Sequence, residues 1–227
     1  MRSIILAFAA SFSVVAAACS SDATSASGPD TTGTTGNTFN VAVDSVNADR
    51  TVIAGSSARV SVVVTLAGQP VFGVPVSWKP TAGSGTVADT LTGSDSSGIA
   101  TTVWTVNDST KVNTLQAIVG TSTATLLATG VAGPASALVK VTADSIAVVA
   151  GANALLTVRV TDRHGNPVSG IPVDWSTTSG SLTVTTSTSG SSGAVDATLT
   201  SPAAPGTALV TASAAGIGSV VFHVTGL

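Results

Sequence analysis

Few residues in this 227-residue chain could do chemistry. There are two histidines, His164 and His223, one cysteine, Cys19, and eleven acidic side chains, all of them Asp. A zinc or catalytic reading of either histidine needs convergent partners at set spacing, and neither has them. His164 stands in a turn-like stretch beside Asp162 and Arg163, and His223 sits in an apolar alternation with Val221 and Val224. Both read as structural or solvated. A glycosidase needs two carboxylates facing each other across a cleft. Asp162 and Asp174 are the nearest candidates, but Asp162 reads as a turn initiator and Asp174 as an outward strand residue. No serine lies in a nucleophile-elbow pattern with a histidine to follow. The Gly/Ser runs lack a phosphate-loop lysine, and the Asp-containing loops lack calcium-loop spacing. The expectation is no catalytic residue, no metal and no cofactor.

Composition narrows the classes further. Charged residues make up 8% of the chain and aromatics 4%, with no Tyr. A net charge of -3 with no Lys/Arg patch excludes nucleic acid as a partner. Beyond residue 20 no apolar run approaches the roughly 18 residues of a spanning helix.

The N-terminus is a separate object. Met1-Arg2 precedes the apolar run IILAFAASFSVVAAA and then Cys19, which reads as a signal peptide over residues 1–18, cleaved after Ala18. A lone cysteine in an exported chain is either a free thiol or modified. Its place after Ala16-Ala17-Ala18 resembles the lipobox of bacterial lipoproteins, which implies lipidation of Cys19 and a membrane anchor. Ala16 stands where that motif has Leu, and ordinary signal peptidase would cut the same bond and leave the thiol free. Ser20, rather than Asp, follows the cysteine, which by the same resemblance implies an outer-membrane lipoprotein on the surface or periplasmic face. Residues 19–38 hold no apolar residue larger than Ala after the cysteine, too little to offset ordering entropy. They read as a flexible linker spanning on the order of 25 Å.

From Phe39 onward the chain repeats itself at a period of about 95 residues. AGQPVFGVPVSW (67–78) answers HGNPVSGIPVDW (164–175), and SSGIATTVW (96–104) answers SSGAVDATL (191–199). The copies cover about 39–131 and 134–227, joined by the short GVAGPAS. Within 154–161, Ala154, Leu156, Val158 and Val160 share one face, against Thr157, Arg159 and Thr161. Period two, with turn clusters about every ten residues, predicts two all-β sandwiches with almost no helix. In each shared phrase, Gly68-Gln-Pro70 and Gly165-Asn-Pro167 read as turns. The following strand then places Trp78 and Trp175 in the core, and Pro75 and Pro172 at a strand start or edge.

VTDRHGNPVSGIPVDW, SSGAVDATLT and GTALVTASAAG together resemble the bacterial Ig-like domain of group 1 (Big-1), strung as repeats in intimin- and invasin-type surface proteins. The resemblance covers nearly all of 39–227. It is looser in the first copy, which lacks the Asp and one turn residue. It implies tandem Ig-like sandwiches in a non-catalytic cell-envelope lipoprotein, serving as a stalk or adhesion module toward an unknown protein or glycan partner. The alternative is a carbohydrate-binding module, which needs an exposed aromatic platform. The aromatics left for it are Phe39, Phe72, Trp104 and Phe222, of which Trp104 answers Leu199 and reads as core, while Phe72 answers the polar Ser169.

Overall fold

The computed structural model describes residues 38–44 and 50–227. The readings at Ala18, Cys19 and the linker fall outside that range, Thr38 excepted. Among the described residues every regular element is a strand. The first copy contributes β1 (Phe39–Val43), β2 (Arg50–Ile53), β3 (Ser57–Leu66), β4 (Gln69–Pro70), β5 (Pro75–Pro80), β6 (Thr86–Val87), β7 (Leu91–Gly93), β8 (Ile99–Thr105), β9 (Val112–Val119) and β10 (Ser122–Val131). The second contributes β11 (Ala137–Lys140), β12 (Ser145–Val148), β13 (Asn153–Thr161), β14 (Pro172–Thr177), β15 (Ser181–Leu182), β16 (Thr186–Thr188), β17 (Ala194–Thr200), β18 (Gly206–Ala214) and β19 (Gly218–Gly226).

One topology is built twice. The first sandwich faces β1-β3-β8-β6, with β4 alongside β3, against β2-β10-β9-β5-β7. The second faces β11-β13-β17-β15 against β12-β19-β18-β14-β16. Each copy opens with a run that changes sheet. β1 pairs antiparallel with β3, and β2 then pairs parallel with the last strand, β10. The second copy does the same with β11 on β13 and β12 on β19. Both sheets are thereby closed by one segment, without a disulfide.

The strands form because alternation suits a pleat with one wet face. In β3, Val60, Val62 and Val64 are buried, and Leu156, Val158 and Val160 repeat this in β13. Pro75 and Pro172 are the first residues of β5 and β14, where the missing N–H costs no central ladder bond. Trp78 and Trp175 lie in the two cores. An indole N–H buried without a partner is costly. Each is satisfied from the neighbouring short strand: Trp78 Nε1 donates to Thr92 Oγ1 at 2.7 Å, and Trp175 Nε1 to Ser187 Oγ at 2.9 Å.

Bulk is traded between the cores. The first uses Trp104 and Leu126 where the second has Leu199 and Phe222. Trp104 donates to the Ser84 carbonyl at 2.8 Å, and Phe222 stacks on Trp175 with ring centroids 6.4 Å apart. The large aromatic moves from one strand to another, and the second core is smaller there by the difference between Trp and Phe, a shape change cores tolerate.

Candidate functional site at the joint between the sandwiches

The functional geometry begins with the two repeated phrases, because they press on each other. A methyl group on Gly98 would lie 2.9 Å from Pro70 Cβ and 2.5 Å from the Val64 carbonyl oxygen. On Gly193 it would lie 3.1 Å from Pro167 Cβ and 2.5 Å from the Val160 oxygen. Both glycines have positive φ, at +74° and +71°. The SSG loop and the turn proline therefore form one end of each sandwich. Ser94 and Ser189 fix the rest of that end. Each hydroxyl accepts a backbone N–H, from Val74 and from Ile171, and donates to a carbonyl, of Val71 and of Val168.

The turn at that end differs between copies. In the first, β3 and β4 are joined by Ala67 and Gly68 alone, at φ +51° and +80°. Two residues of positive φ form the tight hairpin turn that matches strand twist. In the second the turn is longer, Pro167 bridges Thr161, and Asp162 organises the loop. Asp162 Oδ1 accepts from the backbone N–H of His164 and of Asn166, both at 2.9 Å. Its other oxygen accepts from Asn166 Nδ2 at 3.0 Å and from the Gly133 N–H, in the join, at 2.9 Å. Gly165, at φ +84°, completes the turn.

This turn is where the sandwiches meet, within the single unit Asn37–Leu227. Asn166 Nδ2 also donates to the Asp108 carbonyl at 2.7 Å, and Asn166 Oδ1 accepts from the Thr110 N–H at 3.2 Å. Both partners lie in the β8–β9 loop of the first sandwich. Ser136 N–H donates to the Thr161 carbonyl at 2.8 Å and continues the join into β11. Asp162 is 3% exposed and Asn166 8%. Burial pushes the Asp162 carboxyl up. Hydrogen bonds from the Asn166 side chain and from the backbone of Gly133, Asn166 and His164 outweigh it and hold the pKa at about 2.

His164 packs on the first sandwich as well. A methyl group on Gly55 would lie 2.8 Å from His164 Nε2. That same nitrogen accepts from Arg163 Nε at 2.7 Å. A cavity of about 400 Å³ opens beside the contact, lined by Ile53, Ser56, Gly133, Pro134, Asp162 and His164. A second, of about 420 Å³, lies among Thr110, Val131, Pro167, Ser169 and Ser191.

The other residues singled out for chemistry lie elsewhere. Asp174 is on the outer face of β14 and accepts from Thr186 Oγ1 at 2.7 Å. Asp162 closes a turn of the opposite sheet. His223 is exposed on β19, with Nδ1 3.5 Å from Asp144 Oδ2. Asp144 pairs with Lys140, and that hydrogen bond leads the effects holding its carboxyl below the usual value. Among the described residues no group of three or more His, Cys or Asp side chains could hold a metal ion. The aromatic candidates for a glycan platform are dispersed. Phe222 is fully buried, a correction to its reading as available, because its place opposite Trp175 fills the second core. Trp104 is buried too, and Phe39 packs against the first core. Phe72 alone is widely exposed, at 76%.

Residues 136–225 match the family described as bacterial Ig-like domain (group 1). The second sandwich is a group 1 bacterial Ig-like domain. The first repeats its strand order. Among solved structures, the D0-D1 domain of intimin is similar at 21% identity, covering 83% of this chain and 97% of that one, with a TM-score of 0.35. InvD of Yersinia pseudotuberculosis is similar at 19%, covering 83% and 57%, with a TM-score of 0.46. The Escherichia coli adhesin FdeC is similar at 22%, covering 83% and 64%, with a TM-score of 0.44. No curated protein matches the chain. In this domain, Asp162 and Asn166 are the pair that bonds the join and the other sandwich, a role sequence reasoning did not assign to them. Their signal was there in part: Asp162 is one of the residues the first copy lacks, and Gln69 replaces Asn166.

Proposed function

We propose that this chain is a non-catalytic cell-envelope stalk, with a lipid anchor at Cys19, a linker, and two Ig-like sandwiches that hold an interaction surface away from an outer membrane. The group 1 match over 136–225 supports a surface module of this kind. The observation that carries the reading is Asn166, which bonds Asp162 on its own sandwich and both Asp108 and Thr110 on the other. A spacer transmits position only if its joint resists bending. Part-buried amide bonds from Asn166 to the backbone of the other sandwich, with the charge-assisted bond from the Gly133 N–H to Asp162 pinning the join, resist it better than a bare linker does. The partner is a protein or glycan met by exposed loops, where sandwich domains commonly bind.

The test measures the joint. Spin labels at Thr125→Cys and Thr211→Cys, on the outer faces of β10 and β18, report the distance between sandwiches in a Cys19→Ser chain. A narrow distribution that broadens in Asn166→Ala is expected. A broad distribution in both chains refutes the spacer. Intact mass of the native chain from membranes, with and without Cys19→Ser, tests the anchor separately.

A further inference from the structure

We infer that the free end of the first sandwich docks on a lipid surface through Phe72. The inference rests on the anchored reading above.

The equivalent end of the second sandwich is the one that docks at the joint. There Asn166 bonds Asp108 and Thr110, Asp162 takes the Gly133 N–H, His164 packs against Gly55 with Arg163 bonded to its ring, and Ser169 lines the groove against the first sandwich. In the first copy each of these positions has changed character. Leu66 stands for Asp162, Ala67 alone for the Arg163-His164 pair, Gln69 for Asn166, and Phe72 for Ser169. The end has therefore lost its charged docking set and gained an aromatic ring that is 76% exposed.

The position of this end in the chain favours a membrane as the occupant. Phe39 pairs with Leu66, so the polypeptide enters the sandwich beside the Ala67-Gly68 turn. Val71, Phe72 and Gly73 follow β4 at the same end, pinned by Ser94. Residues 20–38 connect this end to Cys19, and a chain of that length can reach at most about 65 Å. Any surface holding Cys19 is thus presented to Phe72 at an effective concentration in roughly the millimolar range, where one aromatic side chain suffices for repeated contact. The only carboxylate in the Ser94–Gly98 loop, Asp95, is turned to its own backbone and accepts from the Ser97 and Ile99 N–H groups. No Lys or Arg lies in the turn or in either loop of this end. Contact then depends on apolar insertion at the headgroup level, not on anionic lipid, and is insensitive to salt.

The experiment uses the full chain, reconstituted in phosphatidylethanolamine/phosphatidylcholine vesicles with or without brominated acyl chains. Phe72→Trp adds an emitter at the proposed contact, and Ser169→Trp adds one at the equivalent place on the second sandwich. Brominated lipid is expected to quench the added Phe72→Trp emission about twofold, in low and high salt alike, and to leave Ser169→Trp unchanged. Intact mass establishes whether Cys19 is acylated. An acylated chain whose Phe72→Trp emission ignores brominated lipid overturns the docking and leaves the anchor standing. If that chain also self-associates in a way that Phe72→Ala abolishes, the surface belongs to a second copy instead. A chain without acyl groups overturns the anchor. Docking then survives only if vesicles added to it still quench Phe72→Trp.

Discussion

Replacing Asp162 by Asn should remove a specific part of the acid sensitivity of the second sandwich. The carboxyl titrates at about 2 in the fold against 3.8 for the unperturbed group. A lowered folded pKa means that the unfolded chain takes up the proton first. The stabilisation is therefore complete above about pH 5 and is lost as the pH falls through 3.8 toward 2. At about 1.4 kcal/mol per unit, the ceiling is about 2.4 kcal/mol. Solvent screening through the one cavity that Asp162 lines trims this to about 1–2 kcal/mol. Asn keeps the shape and one oxygen but cannot accept four donors. Urea denaturation can be followed by fluorine resonances of fluorotryptophan, in which Trp175 reports the second sandwich and Trp78 and Trp104 the first. The native chain should lose about 1–2 kcal/mol more between pH 5 and pH 2 than Asp162→Asn does. Asp144, also lowered by its Lys140 partner, is present in both chains and cancels in the difference. Equal losses would refute the assignment of these hydrogen bonds to a charged Asp162.

Other perturbations test the packing. Trp175→Ala removes the centre of the second core, its Ser187 bond and its stacking on Phe222, and should cost about 3–5 kcal/mol in denaturant, with the first sandwich unaffected. Gly165→Ala meets no atom within 4 Å and should lose only about 1–2 kcal/mol to its left-handed backbone, whereas Gly193→Ala also drives a methyl onto the Val160 oxygen and should lose clearly more. Gly55→Ala forces the His164 ring away. Added His164→Ala should recover part of its loss, a coupling of about 0.5–2 kcal/mol in a double-mutant cycle.

Much of the fold could be read along the chain because the relevant forces are local and periodic. Alternation at Ala154, Leu156, Val158 and Val160 marks one face, and in the structure all four are buried. Each phrase ends on a Trp because each copy needs a large residue in β5 or β14 with a hydroxyl across the ladder to take its indole proton. Phe222 was harder to place. On β19 it sits between His223 and a run of valines, so alternation admits either face. Its burial follows from Leu199 being small where the first copy has Trp104, a relation between strands that no local window contains.

The joint was illegible for a related reason. Taken alone, Asp162 is a turn former, and two of its four hydrogen bonds do only that. The bond from Gly133 crosses 29 residues, and Asn166 reaches Asp108 across 58. Pattern within one copy cannot show such contacts, but comparison between copies can. A turn that only has to reverse the chain needs two residues, and Ala67-Gly68 provides them. The second copy uses a longer, charged turn and buries its Asp162 and Asn166, with the desolvation that entails. A carboxylate retained under those conditions is offset only by donors that a reversal alone would not require. The difference in length and charge between two otherwise parallel turns is therefore the feature from which an interface can be inferred. By the same logic, the uncharged turn of the first copy, with Phe72 exposed beside it, fits a neighbour met by apolar contact, as the lipid surface proposed above would be.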